Sequence, residues 1–198
     1  MYIIGLTGGI ACGKSAIAGT LRRYARAMTL DIDKVTRWLL EPGGELFEIY
    51  VRHFGNQIIN DDGSINRQKI GEIIFNNLDE RNWINSVAHP ILLNQARNFL
   101  VECSQIGAGL VVLEVPLLFE AGWQHLFDEI WAVYIKRQLQ IKRLMLRDNL
   151  TRQQAKARVD AQMKRDEICS RADVVIRNKG RSFEVRQQVF AALKGRKF

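Results

Sequence analysis

The chain has 198 residues, of which 47% are hydrophobic, so it is long enough and apolar enough to bury one substantial core. It contains no run of about 18 consecutive apolar residues, which excludes the sequence pattern of a membrane-spanning helix. Its 29 Lys and Arg residues outnumber its 21 Asp and Glu residues, and the resulting net charge of +8 favours anionic partners.

A strand and a glycine-rich loop open the chain. Residues 2–7 form a short apolar run that predicts a buried strand, and residues 8–15 read GGIACGKS. This octapeptide satisfies the phosphate-loop pattern G-x-x-x-x-G-K-[ST], and an amphipathic helical pattern follows it, with Ile17, Leu21 and Tyr24 on one side. Because the motif stands between a strand and a helix, it predicts a loop that binds nucleotide phosphates.

The residue types in this loop suit a triphosphate. Glycines let backbone N–H groups converge on phosphate oxygens, and the following helix adds the positive end of its dipole. Lys14 can reach the β- and γ-phosphates, and the hydroxyl of Ser15 can hold Mg²⁺. The predicted nucleotide-binding residues of the loop are Gly8, Gly9, Ile10, Ala11, Cys12, Gly13, Lys14, Ser15 and Ala16.

Short apolar segments alternate with helical patterns along the rest of the chain. The further strand candidates are residues 28–32, 110–113, 130–135 and 173–176. Each is apolar on both faces, which is typical of strands in a parallel sheet covered by helices. We therefore expect an α/β fold of the P-loop nucleoside triphosphate hydrolase type, a five-stranded parallel sheet with helices on both faces.

Two helical segments interrupt this core. Residues 34–105 contain helical patterns broken by two turn sequences and no convincing strand, which predicts an insertion that caps a substrate pocket. Residues 137–165 are arginine-rich and predict a helical lid. The nucleotide-binding core would then comprise residues 1–33, 106–136 and 166–198.

The net positive charge lies in the predicted lid. Between Lys136 and Arg165 there are ten basic and two acidic residues, so this segment alone accounts for the excess. The sequence Thr151-Arg152-Gln153-Gln154 resembles a capping box and predicts where the second lid helix starts. Arg143 and Arg147 are four residues apart on one helix face, where guanidinium groups can neutralise a transferring phosphoryl group. Most of the other basic residues would form an ordinary solvated face.

Carboxylates follow two of the predicted strands. Asp31 and Asp33 flank the end of the second strand, and alternation would send both side chains the same way if the strand persists that far. A carboxylate there can accept the proton of a substrate hydroxyl or hold a Mg²⁺-bound water, although Asp33 can instead cap a helix. Glu114, after the third strand, is a candidate magnesium ligand, with a local salt bridge or hydrogen bond as its alternative.

Three further features carry weaker signals. His89, before Pro90, is either a substrate contact or a structural histidine. Asn178-Lys179 begins like the N-K-x-D of GTPases, but the fourth position is Arg181 and no D-x-x-G occurs, so Asn178 is expected to border an adenine instead. The three cysteines and three histidines are scattered without metal-ligand spacing, which fits reduced thiols in the cytoplasm and predicts no zinc site.

Many spaced motifs, taken in order, resemble the dephospho-coenzyme A kinase family over nearly the whole chain. The similar segments are Gly5–Ile10 with Gly13–Ser15, Asp31–Asp33, Asp62–Arg67, Ile74–Asn76, His89-Pro90, Val115–Glu120, Arg143-Leu144 with Arg147-Asp148, Arg158 with Gln162, and Ala172-Asp173 with Asn178. The resemblance implies transfer of the γ-phosphate of ATP to the ribose 3′-hydroxyl of dephospho-CoA, the last step of coenzyme A synthesis. It also implies a nucleotide-binding core, a helical CoA-binding domain and a lid.

The resemblance assigns roles to the matching positions. It implies Asp33 as the base, Lys14 and Arg143 as the transition-state cations, and Ser15 as a magnesium ligand, which Glu114 would assist. Arg147 would support phosphate binding from the lid. The expected acceptor-binding residues are Asp31, Asp33, His89 and Arg158.

The chain departs from the family pattern at three places. Ala11-Cys12 stands where the family often has Gly-Ser, so we expect a negative φ at Ala11 and a thiol in the site that is open to oxidation or alkylation. Ile32 replaces the small residue between the two aspartates. Asn66 before Arg67 is a minor change.

Two other functions stay open from the residues alone. A nucleoside or nucleoside-monophosphate kinase would share the loop and lid, although the long insertion disfavours it. A nucleic-acid-binding ATPase is disfavoured because the positive charge is confined to one helical pair without interleaved aromatic residues. We expect ATP and Mg²⁺ as cofactors, dephospho-CoA as substrate, no nucleic-acid or membrane partner, a cytoplasmic location, and a monomer, with an oligomer left open.

Overall fold

The computed structural model describes residues 1–196 and 198, with the backbone alone for Phe75. Five parallel strands form one sheet in the order β2-β3-β1-β4-β5, which confirms the predicted α/β fold. The strands are β1 (Tyr2–Thr7), β2 (Met28–Asp31), β3 (Leu110–Glu114), β4 (Glu129–Tyr134) and β5 (Val174–Arg177). This order places β1, and therefore the glycine-rich loop that follows it, at the centre of the sheet.

Helices occupy most of the remaining described residues. They are α1 (Lys14–Ala25), α2 (Ile32–Leu39), α3 (Glu45–Phe54), α4 (Arg67–Asn76), α5 (Leu78–Gln105), α6 (Arg137–Asp148), α7 (Arg152–Asp160), α8 (Arg165–Ser170) and α9 (Ser182–Leu193). Short 3₁₀ turns lie at Asn56–Ile58 and Trp123–Leu126. Across residues 1–196, no helix is both long enough and apolar enough to cross a membrane.

The chain divides into two compact units. The core unit comprises residues 1–31 and 100–198, and the helical unit comprises residues 32–99. In the helical unit, Tyr50 and Phe54 pack edge to face, and Trp83 lies against both rings. The predicted boundaries and roles of the three functional segments stay predictions, and we return to them as proposals.

Packing on both faces of β1 explains its nearly continuous apolar sequence. On one face, Ile4 and Leu6 are completely buried in a cluster with Ile17 of α1 and Val189 of α9. On the other face, a Cβ at Gly5 would lie within 2.8 Å of the side chains of Leu118 and Phe127. Glycine is therefore required at position 5 by space, since bulky side chains cover the strand there.

The second strand ends earlier than the sequence predicted. β2 ends at Asp31 and α2 begins at Ile32, so Asp33 lies in the first turn of a helix. The condition of the alternation argument, a strand that persists to Asp33, is therefore not met, and Asp33 does not precede the helix as a cap either. Burial explains why the helix begins at Ile32. Ile32 and Leu39 are both buried, and a spacing of seven residues places them on the same face of α2.

The two helices predicted for the arginine-rich segment are present as α6 and α7. Thr151 precedes α7 and makes a complete capping box: its Oγ1 accepts from the Gln154 amide N–H at 3.3 Å, and Gln154 Oε1 accepts from the Thr151 N–H at 3.0 Å. Ile141, Leu144 and Ala155 form the buried apolar contact between α6 and α7. The tip of the glycine-rich loop packs against this cluster, so α6 and α7 contact the loop.

Candidate active site

Three residues of the glycine-rich loop adopt left-handed backbone conformations. They are Gly8 (φ 140°), Ala11 (φ 57°) and Gly13 (φ 100°). A Cβ at Gly8 would lie 2.8 Å from the carbonyl oxygen of Val133, and a Cβ at Gly13 would lie 2.3 Å from Asn178 Nδ2. Glycine is thus needed at both ends of the loop for backbone conformation and for close approach of neighbouring segments.

The positive φ of Ala11 contradicts the expectation that alanine would keep a negative φ at this position. A left-handed alanine costs about 1–2 kcal/mol relative to its preferred conformations. Ala11 and Ile10 pack together against the apolar cluster of the lid. This contact helps to offset the strain, because it shields part of both side chains from water while the loop keeps its turn.

Lys14 folds back over the loop that precedes it. Its Nζ donates a hydrogen bond of 2.9 Å to the carbonyl oxygen of Gly8, so the ammonium lies near the first glycine of the motif. Cys12 is buried beneath this turn, and burial raises the pKa of its thiol. A buried, protonated thiol is a poor nucleophile, so the structure argues against the reactivity expected for Cys12.

Ser15 and Glu114 come together although they are distant in the chain. Ser15 Oγ donates a hydrogen bond of 2.9 Å to Glu114 Oε2 at the end of β3. Glu114 is buried, and Asp31 is its register partner on the neighbouring strand β2. The structure therefore gathers a hydroxyl and two carboxyl side chains at adjacent strand ends beside the start of α1.

The oxygen atoms of these side chains are suitable ligands for a Mg²⁺ ion that binds together with a nucleotide. Mg²⁺ prefers oxygen ligands and is usually held by one or two carboxylates together with substrate phosphates and water. Ser15 and Glu114 offer such oxygens. Among the described residues, no group of three or more His, Cys, Asp or Glu side chains is arranged to hold a metal ion.

Asn178 joins the loop after β5 to both the phosphate loop and the lid. Its Nδ2 donates to the Cys12 carbonyl oxygen at 2.8 Å, and its Oδ1 accepts from the Gly180 N–H at 3.0 Å. Arg143 of α6 reaches the same Oδ1 at 3.5 Å. Asn178 and Arg143 also line a cavity of about 520 Å³ that opens beside Gly13.

Arg147 and Arg158 meet elsewhere on the lid. Arg147 Nε lies 2.7 Å from Asp148 Oδ1, and Arg158 Nη1 lies 3.4 Å from Asp148 Oδ2. Both arginine side chains are about half exposed. The structure therefore brings Arg143 to the phosphate loop and gathers Arg147 and Arg158 around a carboxylate.

The two other predicted site residues belong to the helical unit. Asp33 is the second residue of α2, and His89 lies in α5, directly before Pro90. His89 is half-buried, and burial lowers the pKa of its imidazole. Their predicted roles as base and acceptor contact stay predictions at this point.

Two glutamines from the lid segment hold the tip of the loop, and the sequence did not predict this. Gln162 Oε1 accepts from the Ile10 N–H at 2.7 Å, and Gln140 Nε2 donates to the Ile10 carbonyl oxygen at 2.9 Å. The sequence offered one signal for this role of Gln140, which is its position directly before Ile141 on the buried side of α6. A buried polar side chain on an apolar stripe must find a hydrogen-bond partner.

Comparison with known proteins places the chain in a family. The sequence model for the family described as dephospho-CoA kinase matches residues 2–184. The dephospho-CoA kinase of Carboxydothermus hydrogenoformans is 41% identical over 191 residues, which are 96% of this chain and 92% of that protein. The protein of the same name from Geobacillus kaustophilus is 38% identical, over 96% of this chain and 94% of its own length.

Solved structures agree with this assignment. A crystal structure from Thermus thermophilus has 30% identity and a TM-score of 0.80, covering 97% of this chain and 95% of that chain. Dephospho-CoA kinase from Campylobacter jejuni has 26% identity and a TM-score of 0.67 with the same coverage. Shikimate kinase from Bacteroides thetaiotaomicron, at 12% identity and a TM-score of 0.55, shares the fold over 98% of this chain and 96% of its own. The protein is a kinase, and the chain belongs to the dephospho-CoA kinase family.

Proposed function

We propose that the protein transfers the γ-phosphate of ATP to the ribose 3′-hydroxyl of dephospho-CoA and releases coenzyme A and ADP. This would be the last step of coenzyme A synthesis. The proposal rests mainly on the phosphate loop of this chain, which belongs to the dephospho-CoA kinase family. In this loop Lys14 donates to the Gly8 carbonyl oxygen and Ser15 donates to Glu114.

The phosphates of ATP bind to the backbone N–H groups of residues 8–16. The cavity of about 520 Å³ receives the adenine, because it opens beside Gly13 and Ala16 and is bordered by Asn178. Ser15 and Glu114 hold Mg²⁺, which, when bound, neutralises charge on the phosphates. A lone pair of the Ser15 hydroxyl oxygen would face the ion while its O–H still donates to Glu114.

Charged side chains carry the transfer itself. Asp33 accepts the proton of the 3′-hydroxyl as that oxygen attacks the γ-phosphorus, and the bond to the β-phosphate oxygen breaks. Lys14 and Arg143 stabilise the negative charge that is shared by the transferring group and the leaving ADP. Arg147 supports phosphate binding from the lid, residues 137–165, whose closure excludes water.

The acceptor is held by residues outside the loop. Asp31, His89 and Arg158 are the proposed contacts besides Asp33. Residues 34–105 form the proposed CoA-binding segment, and residues 1–33, 106–136 and 166–198 form the nucleotide-binding core. The long helical insertion supports this division, since a nucleotide monophosphate alone would not require it.

ADP release tests the proposal. The protein is supplied with ATP and Mg²⁺ and with dephospho-CoA, AMP, adenosine or no acceptor in parallel. We expect ADP release with dephospho-CoA alone, together with a product of the mass of coenzyme A. Release with AMP or adenosine alone would assign the chain to nucleotide kinases, and release without any acceptor would indicate an ATPase.

A further inference from the structure

A cavity lined by α1 and α9 runs away from the phosphate loop within the core unit. We call it the α9 cavity, and its volume of about 520 Å³ suits a small molecule. Gly13 and Ala16 line its inner end, where the loop ends, and Arg23, Tyr24 and Arg186 line its outer end. The inference drawn from it rests on the proposed function, in which the base of ATP lies in this cavity.

The length of the α9 cavity matches that of a nucleoside. Ala16 and Arg23 are seven residues apart on α1, and a helix rises by about 1.5 Å per residue, so about 10 Å of helix separates them. A nucleoside spans a similar distance from its 5′ oxygen to the far edge of its base. With the triphosphate on the loop, the purine edge that carries N7 and the substituent at C6 would therefore reach Arg23 and Arg186.

The outer end of the cavity offers hydrogen-bond donors and positive charge. The Cζ atom of Arg23 lies 5.5 Å and that of Arg186 lies 6.0 Å from the ring centroid of Tyr24, so one ring holds both guanidinium groups. Among the described residues that line the cavity, none is Asp or Glu. Because a guanidinium has five N–H donors and no acceptor, its unused N–H groups can pair only with acceptor atoms.

The two common purines present different atoms to such a surface. The edge of guanine carries two acceptors, O6 and N7, which one arginine can bind with two hydrogen bonds. Adenine carries N7 but has a donating amino group in place of O6, and this group would face the donors of Arg23 and Arg186. The hydroxyl oxygen of Tyr24, which could accept from that amino group, already accepts from Arg186 Nη1 at 3.2 Å. The outer end therefore favours a purine with an oxygen at C6.

The residues after β5 add a second argument about the base. Asn178 lines the cavity, and Asn178-Lys179 begins the guanine-reading pattern N-K-x-D, in which Arg181 here replaces the aspartate. That replacement removes a carboxylate that could accept from the 2-amino group of guanine. The lining therefore does not distinguish guanine from hypoxanthine, which has the same oxygen at C6 and no 2-amino group.

We propose that the α9 cavity binds 6-oxopurines as well as adenine, so that the protein uses GTP and ITP as phosphate donors besides ATP. Arg23 and Arg186 bind O6 and N7 of these bases. The transfer itself is unchanged. The 3′-hydroxyl oxygen of dephospho-CoA forms a bond to the γ-phosphorus, the bond to the β-phosphate oxygen breaks, the hydroxyl proton passes to Asp33, and GDP or IDP leaves.

The first experiment compares phosphate donors on the wild-type protein. ATP, GTP, ITP and CTP are supplied separately with Mg²⁺ and dephospho-CoA, and the product of the mass of coenzyme A is measured. We expect kcat/KM for GTP and for ITP to lie within about tenfold of the value for ATP. CTP should be at least about tenfold poorer than GTP, because cytosine is shorter than a purine and presents an amino group.

The second experiment changes the two arginines one at a time. Glutamine pairs with the amino group and N7 of adenine, whereas arginine pairs with O6 and N7 of guanine. Arg186→Gln and Arg23→Gln should each lower the ratio of kcat/KM for GTP to kcat/KM for ATP by at least about fivefold. The control is Arg22→Gln, at an exposed position of α1 outside the cavity lining, which should leave the ratio unchanged. A general loss of stability would lower both values and would not change their ratio.

The outcomes separate the inference from the proposed function. If no nucleotide supports phosphorylation of dephospho-CoA, the proposed function fails and the inference falls with it. If ATP supports the reaction but GTP and ITP are more than about tenfold poorer, or if CTP serves as well as GTP, the function stands and the inference is overturned. An unchanged ratio in both Arg186→Gln and Arg23→Gln would overturn the role of these arginines, whatever the wild-type protein accepts.

Discussion

Ser15 Oγ donates a hydrogen bond of 2.9 Å to Glu114 Oε2, which ties the start of α1 to the end of β3. If this pair holds Mg²⁺, binding of the ion depends more on the negative charge of the Glu114 side chain than on the side chain's size and shape. We expect Glu114→Gln to raise the Mg²⁺ concentration needed for half-maximal activity and to lower kcat by about tenfold or more. The amide can still accept from Ser15, so the thermal unfolding midpoint should change little.

A Mg²⁺ titration of ADP release checks this prediction. The matched control is Glu102→Gln, which removes the same charge from an exposed position of α5. An unchanged Mg²⁺ requirement in Glu114→Gln would show that this carboxylate plays no part in holding the ion.

Asp33 lies in the first turn of α2, where a carboxylate can also stabilise the helix dipole. If it is the base, Asp33→Asn should lower kcat by about 10²–10⁴-fold, because the amide cannot take the proton. ATP binding, measured by calorimetry with a non-hydrolysable analogue, should stay largely intact. The control is Asp61→Asn, at an exposed turn of the same unit. Near-normal turnover of Asp33→Asn would show that Asp33 is not the base.

Ala11 carries a positive φ, which predicts an unusual pattern of substitution effects. Ala11→Gly relieves the left-handed strain but loses the packed methyl group and makes the unfolded chain more flexible, so we expect a net change below about 1 kcal/mol. Ala11→Val should destabilise by about 2 kcal/mol or more, since a β-branched residue tolerates positive φ poorly. Urea unfolding of the whole protein measures both, and equal stability of the valine variant would contradict the strain at this position.

Burial lowers the pKa of His89, which predicts a pH dependence of stability. The unfolded state then binds a proton at higher pH than the folded state does, so the stabilisation is present above the ordinary histidine pKa of about 6.5 and is lost as the pH falls below it. We expect the free energy of unfolding to fall as the pH is lowered from 7.5 to 5. In His89→Gln this fall should be smaller. The control is His125→Gln at an exposed position, and an unaltered slope in His89→Gln would contradict the prediction.

Local patterns were enough to predict the elements of the core. The strand at residues 2–7, the glycine-rich loop and the N-cap of α7 at Thr151 were predicted from spacing and residue type, and the structure confirms them. These features depend on neighbours within a few residues, through strand burial, positive φ at glycine and the reciprocal bonds of a capping box. Information of this kind is present in any short stretch of sequence.

The partners of the site residues required the folded chain. Ser15 meets Glu114 across 99 positions, and Ile10 meets Gln162 across 152 positions. Such pairs depend on the strand order, which sets β3 beside β1, and on the docking of the lid against the loop. The same docking holds Ala11 in a conformation that its own side chain disfavours. Local propensity cannot anticipate these features, because long-range packing supplies the energy that outweighs it.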